Sequence, residues 1–150
     1  MDSDYIGAIK LKDGLFLGDQ FAAQDLEFIV SNKITHVVNT ASSQVTNYMD
    51  NIGVAYLNLD WPETQLIVSP TEFAQAAAFI EAAHAAGGGV LMHSVRGQRR
   101  AVFLAVAWFM CTYHWTLPKA IEFMTYRKPD LAVLDWEPLE SLGRINVQRP

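Results

Sequence analysis

Cysteine and positive charge are both scarce in this chain. Its 150 residues include a single cysteine, Cys111, which excludes a disulfide framework within the chain and suits a reducing compartment. We therefore expect a protein of the cytoplasm or the nucleus. With 11 Lys and Arg against 16 Asp and Glu, the net charge is -5. The basic footprint of a general nucleic-acid-binding protein is missing, so no nucleic-acid partner is expected.

Metal-ligand spacing and membrane-spanning runs are missing as well. His36, His84 and His114 show no grouping of the kind that holds a metal ion, so neither a metal nor another cofactor is expected. The apolar run over residues 101–111 is well short of the roughly 20 residues that span a bilayer. The acidic residues 1–4 carry no signal-peptide pattern, and we expect no membrane association.

No repeat, low-complexity tract or linker divides the chain. Apolar residues make up 51% of it and charged residues 18%, a balance typical of a folded domain with a sizeable core. We predict one domain that spans residues 1–150.

A short basic loop lies between two apolar segments. Val90–Met92 is typical of a buried strand, and residues 101–111 are apolar on all sides, as in a buried helix. Three of the 11 basic residues, Arg96, Arg99 and Arg100, lie between these segments. A strand, a tight loop and a helix start form an anion site, because free backbone N–H groups converge there and the helix dipole adds positive potential.

The residue types in this loop suit a phosphate group. Gly97 permits the turn and lets the backbone approach a ligand. Arg100 can hold two phosphate oxygens with its planar guanidinium. We expect the partner to be a phosphorylated protein or peptide, with a free phosphate or sulfate ion able to occupy the same loop. The predicted phosphate-binding residues are Ser94, Val95, Arg96, Gly97, Gln98, Arg99 and Arg100.

The rest of the chain alternates strand patterns with helix patterns. The predicted elements are a hairpin over 9–11 and 15–17, a helix over 22–30, strands over 34–39 and 54–59, a helix that Ser69 and Glu72 begin as a capping box, a helix begun by Thr116, and a last helix over 136–145. This order predicts an α/β fold with a central, mostly parallel sheet flanked by helices.

The loop resembles the phosphate loop of cysteine-dependent phosphatases. That motif runs His-Cys, two residues, Gly, two residues and Arg, usually followed by Ser or Thr. His93, Gly97 and Arg100 stand at matching positions. Ser94 stands where the nucleophilic cysteine would be, and Ala101 where the hydroxyl residue would be.

The resemblance extends to dual-specificity phosphatases over residues 9–145, and among them to the STYX-like pseudophosphatases. Local patterns agree in order at residues 14–19, 34–39, 56–60, 101–113 and 120–127. This resemblance implies a single domain with the dual-specificity phosphatase fold.

The resemblance also implies a general acid in the loop that follows the third core strand. Aligning the chain on Tyr56 and Phe73 puts Glu63 at that position, and Asp60 is the alternative acid. A glutamate is one methylene longer than the aspartate of the family, which weakens the case for turnover.

The chemistry of position 94 argues against efficient catalysis. A cysteine thiol, with a reference pKa of about 8.5, becomes a thiolate at a helix N-terminus near arginine. A serine hydroxyl needs an adjacent general base instead. His93 precedes Ser94 in a strand, so the two side chains point to opposite faces, and we expect His93 to orient the loop by hydrogen bonding. Ala101 offers no hydroxyl.

Three hypotheses follow. The first is a catalytically impaired pseudophosphatase that binds phosphotyrosine or phosphothreonine proteins as a signalling scaffold or competitor. The second is an active dual-specificity protein phosphatase that carries a Cys→Ser substitution at Ser94 to trap substrate. The third is an interaction domain whose loop binds nothing. The joint departures at Ser94, Glu63 and Ala101 favour the first.

Overall fold

The computed structural model describes residues 5–62, 69–130 and 134–140. The strands are β1 (Ala8–Lys12), β2 (Leu15–Gly18), β3 (Ile34–Asn39), β4 (Ala55–Asn58) and β5 (Gly89–His93). The helices are α1 (Gln20–Ala23), α2 (Leu26–Ser31), α3 (Pro70–Ala85), α4 (Arg100–Tyr113) and α5 (Leu117–Thr125), with a 3-10 turn over Asp50–Ile52.

Within the described residues the strands form one sheet in the order β1-β2-β5-β3-β4. The β1–β2 hairpin is antiparallel, and the other three pairings are parallel. The predicted α/β fold with a mostly parallel sheet is therefore confirmed. Asn39 pairs with His93 on one side and with Asn58 on the other, so β3, β4 and β5 end together at one edge. The loops after these three strands meet there.

Apolar layers cover both faces of the sheet. Met92 belongs to the core that includes α3 and α4, whereas its neighbour Leu91 belongs to the core beneath α2. Every residue of β5 is buried, because this strand lies at the centre of a sheet with helices on both sides. Helix α4 is buried from Arg100 to Met110, which confirms the predicted buried helix after the loop except at its last residue, Cys111, which is half-buried.

One helix prediction is wrong. Residues 22–30 do not form a single helix but belong to two short ones, α1 and α2, which are separated at Gln24 and Asp25. Each has its own aspartate cap: Asp19 accepts from Phe21 N and Ala22 N, and Asp25 accepts from Phe28 N. The second cap starts a new helix inside a stretch whose apolar spacing resembles one helix.

The predicted helix starts at Ser69 and Thr116 are confirmed. Ser69 Oγ accepts from Glu72 N at 3.3 Å, and Thr116 Oγ1 accepts from Lys119 N at 3.3 Å. The carboxylate of Glu72 bonds outside the capping box, since its Oε1 accepts from Trp61 Nε1 at 3.1 Å. Of the predicted last helix, residues 137–140 are helical and residues 141–145 lie outside those described.

No single helix of the described ranges has both the length and the apolar character of a membrane span. Helices α4 and α5 meet those criteria only as a pair, and that pair is bent by 120°.

Candidate phosphate site

The loop between β5 and α4 closes on itself around Ser94. Ser94 is 2% exposed, and its Oγ accepts from Gly97 N at 3.0 Å. Gly97 has a φ of +74°, a left-handed conformation that residues with a Cβ avoid. The Gly97 amide therefore points into the loop, toward the atom at the nucleophile position.

Arg100 is fixed in place by two neighbouring loops. Its guanidinium is buried, and Nη1 donates to Gln44 Oε1 at 2.6 Å and to Trp61 O at 3.0 Å. Gln44 lies in the loop after β3, and Trp61 lies in the loop after β4. Both acceptors are neutral oxygens, so these two contacts orient the guanidinium without themselves neutralising it.

The other loop side chains differ in burial and contacts. Arg96 is exposed, whereas Val95, Gln98 and Arg99 are half-buried. The Arg99 guanidinium lies 5.9 Å from the centre of the Phe103 ring. A cation over an aromatic face is held there by the ring quadrupole, so Arg99 leans along α4.

A buried lysine in the segment after α5 supports the loop. Lys128 is 5% exposed, and its Nζ donates to Gln98 Oε1 at 2.6 Å. The same Nζ pairs with Asp130 Oδ1 at 2.5 Å. The ammonium is thus satisfied on two sides, as a buried charge must be.

His93 is a neutral, structural histidine. Its Nδ1 lies 3.1 Å from Ser94 O, and a carbonyl can only accept, so Nδ1 carries the proton. The carbonyl of His93 accepts from Thr40 N at 3.0 Å and from Thr40 Oγ1 at 2.9 Å, which ties the end of β5 to the loop after β3. The imidazole faces a backbone carbonyl and is not oriented to take the proton of the Ser94 hydroxyl.

The state of His93 predicts an acid-sensitive stability. Burial lowers the pKa of His93 from 6.5 to about 4. Between these values the unfolded chain binds a proton that the folded chain rejects, so stability falls as the pH decreases through this window, by about 3 kcal/mol in total. Urea denaturation of the wild type and of His93→Asn at pH 7 and pH 4 measures this effect.

Asparagine at position 93 keeps a donor for Ser94 O but has no proton to bind in this range. The wild type should lose about 3 kcal/mol relative to His93→Asn between pH 7 and pH 4. A difference between the two proteins that does not change with pH would show that His93 titrates normally.

The remaining predicted site residues separate into three cases. Ala101 is a fully buried residue of α4, where it presents a methyl group and no hydroxyl. Asp60 is exposed two residues after β4, where its backbone forms an isolated bridge with Ala41. It directly precedes Trp61, whose carbonyl accepts from Arg100. Glu63, the predicted general-acid position, lies outside the described residues.

Sequence reasoning missed three residues around the loop. Gln44 and Lys128 are separated by 56 and 30 positions from the loop residues that they contact, and no local pattern connects them. Asp19 is 1% exposed and caps α1 beside the loop. An aspartate just before a helical stretch is the signal that would have found it.

Comparison with known proteins agrees with this geometry. A family model described as "Dual specificity phosphatase, catalytic domain" matches residues 15–135. The human tyrosine phosphatase-like serine/threonine/tyrosine-interacting protein, known from a crystal structure, has the same fold. Its TM-score is 0.83 at 21% identity, over 94% of this chain and 98% of that chain.

Two curated proteins are similar to this chain in sequence. Dual specificity protein phosphatase 1B of Arabidopsis thaliana is 32% identical over 120 residues, which cover 79% of this chain and 70% of that protein. Dual specificity protein phosphatase 19 of Mus musculus is 30% identical over 122 residues, which cover 81% of this chain but only 54% of that protein. The family model spans strands β2 to β5, the loop and both helices after it, and the chain belongs to the dual-specificity phosphatase family.

Proposed function

We propose that this chain is a pseudophosphatase: it binds phosphorylated protein segments through residues 93–101 and does not hydrolyse them. The observation that carries this proposal is the state of Ser94. Its hydroxyl is buried and accepts from the Gly97 amide, while the neighbouring imidazole is turned to a backbone carbonyl. The loop keeps its donors, but the group at its centre is a hydroxyl, and the described residues place no base beside it.

The absence of turnover follows from the acidity of that hydroxyl. Ser94 ionises far above neutral pH, and a serine nucleophile relies on a base to take its proton. His93 is neutral and donates from Nδ1 to Ser94 O, so it does not supply that base. Ala101 brings no second hydroxyl to the centre of the loop.

Phosphate binding is supported by the charge and orientation of the loop. Arg100 is held in position before any ligand arrives, which lowers the entropic cost of binding. Residue 100 is also the first residue of α4, so the positive end of the helix dipole lies at the same place. A local positive site on a chain of net charge -5 suits a phosphotyrosine or phosphothreonine protein, which the domain would shield or scaffold.

The test measures binding and turnover in the same samples. Phosphotyrosine and phosphothreonine peptides are titrated by fluorescence anisotropy, and phosphate release is followed for hours. We expect saturable binding that inorganic phosphate competes away, with release no faster than in buffer. Ser94→Ala should bind within about threefold of the wild type, because the hydroxyl contributes a single neutral hydrogen bond.

Two outcomes would contradict the proposal. Phosphate release at phosphatase-like rates that Ser94→Ala abolishes would make Ser94 a nucleophile. Failure of every peptide, and of sulfate, to bind would favour the interaction domain whose loop is empty.

The second candidate is an active phosphatase whose native residue at position 94 is cysteine. The Gly97 amide favours it, because this N–H points at the side-chain atom of residue 94 and would stabilise a thiolate there. Reading codon 94 of the native gene decides between the two candidates. Rapid turnover by Ser94→Cys would show that the rest of the site is competent for catalysis.

A further inference from the structure

We infer that residues 5–7 form a strap that orients the anion-binding amides of the loop, and that Asp19 is the positioning residue that holds this strap. The inference rests on the proposed function, since the loop must bind an anion for its amides to matter. It assigns a role in the phosphate site to a segment that lies about ninety positions before the loop in the sequence.

Two loop carbonyls are bonded from outside the loop. Ile6 N donates to Arg96 O at 3.2 Å, and Gln20 N donates to Val95 O at 2.9 Å. Ile6 belongs to the strap, and Gln20 is the first residue of α1. Two separate elements therefore hold the outer side of the loop backbone.

Because of the geometry of the peptide bond, these hydrogen bonds to the loop carbonyls also set the direction of the loop N–H groups. In a trans peptide unit the C=O and the following N–H point in opposite directions, and no cis bond occurs in the described residues. Holding the carbonyls of Val95 and Arg96 on the outside therefore directs the N–H groups of Arg96 and Gly97 inward. The Gly97 N–H does point inward, to Ser94 Oγ at 3.0 Å.

Asp19 connects the two elements that hold the loop. Its Oδ2 accepts from Gly7 N at 2.7 Å, and its Oδ1 accepts from Phe21 N at 3.0 Å and from Ala22 N at 2.9 Å. The Asp19 backbone N–H also donates to Gly7 O at 2.9 Å. This 1% exposed carboxylate thus fixes the strap to the start of α1, where Gln20 lies.

Side-chain packing brings the strap directly against the loop. A methyl group added at Gly97 would lie 2.5 Å from Ile6 Cδ1, so the Ile6 side chain covers the outer face of Gly97. The Tyr5 and Phe21 rings are in tilted contact with their centres 5.1 Å apart, so the strap also packs against α1.

The test compares Asp19→Asn with Asp25→Asn. Asp25 is a matched control, because it caps the next helix by accepting from Phe28 N at 3.1 Å and is exposed. Both substitutions remove one negative charge, and that loss alone would favour an anion. If the strap orients the loop, the effect of Asp19→Asn on phosphate affinity has the opposite sign. This variant should weaken the binding of inorganic phosphate about tenfold, and Asp25→Asn should weaken it less than twofold.

Three measurements are made on the full chain: the phosphate Kd by calorimetry, the Tm without ligand, and hydrogen exchange of the Gly97 amide by NMR. Asp19→Asn should raise the Gly97 exchange rate and weaken phosphate binding even after its lower Tm is allowed for. A second variant, Ile6→Pro, removes the donor to Arg96 O without touching Asp19, and should change Gly97 exchange and phosphate affinity in the same direction.

The outcomes separate this inference from the proposed function. If Asp19→Asn matches Asp25→Asn in phosphate affinity and Gly97 exchange, the strap does not orient the loop, whatever the wild type binds. If the wild type binds no phosphate while Asp19→Asn still raises Gly97 exchange, the proposed function fails and the strap stands.

Discussion

Gly97→Ala is expected to abolish phosphate binding and to lower the free energy of unfolding by about 3 kcal/mol. The φ of +74° costs alanine about 1 kcal/mol. The added Cβ would also lie 2.5 Å from Ile6 Cδ1 and 2.8 Å from Gly18 O. Gly18 is a backbone contact that cannot easily retreat, because it pairs with both neighbouring strands of the sheet. The loop would have to move, and its inward N–H groups would move with it.

Gly53→Ala provides the matched control for this substitution. Gly53 has a φ of +89°, but a Cβ there would meet no heavy atom within 4 Å. The free energy of unfolding of Gly53→Ala should therefore fall only by the conformational cost, about 1 kcal/mol, and its phosphate affinity should not change. Urea denaturation and phosphate calorimetry on both variants measure the difference. Equal behaviour of the two variants would mean that phosphate binding does not depend on the shape of the loop at Gly97.

Arg100→Met is expected to weaken phosphate binding at least about a hundredfold, because it removes the buried charge and the fork that hold the anion. It should also destabilise the fold by about 3 kcal/mol, since Trp61 O loses a charged donor in a buried position and Gln44 Oε1 loses its bond to the same guanidinium. Arg100→Lys should recover part of the stability but little of the affinity, because one ammonium cannot bond two oxygens as a planar fork does.

Arg127→Met is the control for the loss of an arginine. Arg127 lies just after α5, and its guanidinium donates to Leu11 O at 2.8 Å, so its removal also takes a donor from a backbone carbonyl. We expect a loss of about 1 kcal/mol in stability and an unchanged phosphate Kd. Urea denaturation measures the stability of both variants, and calorimetry measures their phosphate Kd. Undiminished phosphate binding by a folded Arg100→Met protein would place the anion outside this loop.

Much of the site follows from short stretches of sequence. A buried strand, a basic loop with one glycine, and an all-apolar helix are adjacent in the chain, and their local geometry already places N–H groups and a helix N-terminus together. The parallel sheet follows equally well, because strand and helix patterns alternate along the chain. The break between α1 and α2 was not predicted from the sequence. The apolar spacing over residues 22–30 favours a single helix, whereas in the structure Asp25 caps a second one.

The supports of the loop could not be predicted in this way. Gln44 reaches Arg100 across 56 positions, and Lys128 reaches Gln98 across 30. These partners meet because loops from separate strands, together with the segment after α5, converge beside α4. The spacing of polar residues along the chain does not predict these contacts, because glutamine and lysine are common on protein surfaces.

The pattern of residues 93–101 alone sets the residue chemistry: a hydroxyl at position 94, a glycine at position 97 and an arginine at position 100, in a short loop between a strand and a helix. The folded chain sets which way the loop groups point. The Gly97 amide donates to Ser94, Gln44 and Trp61 accept from Arg100, and Ile6 and Gln20 donate to loop carbonyls. The difference has a physical cause, since residue identity fixes acidity and charge, whereas direction comes from hydrogen bonds to partners that only folding brings within reach.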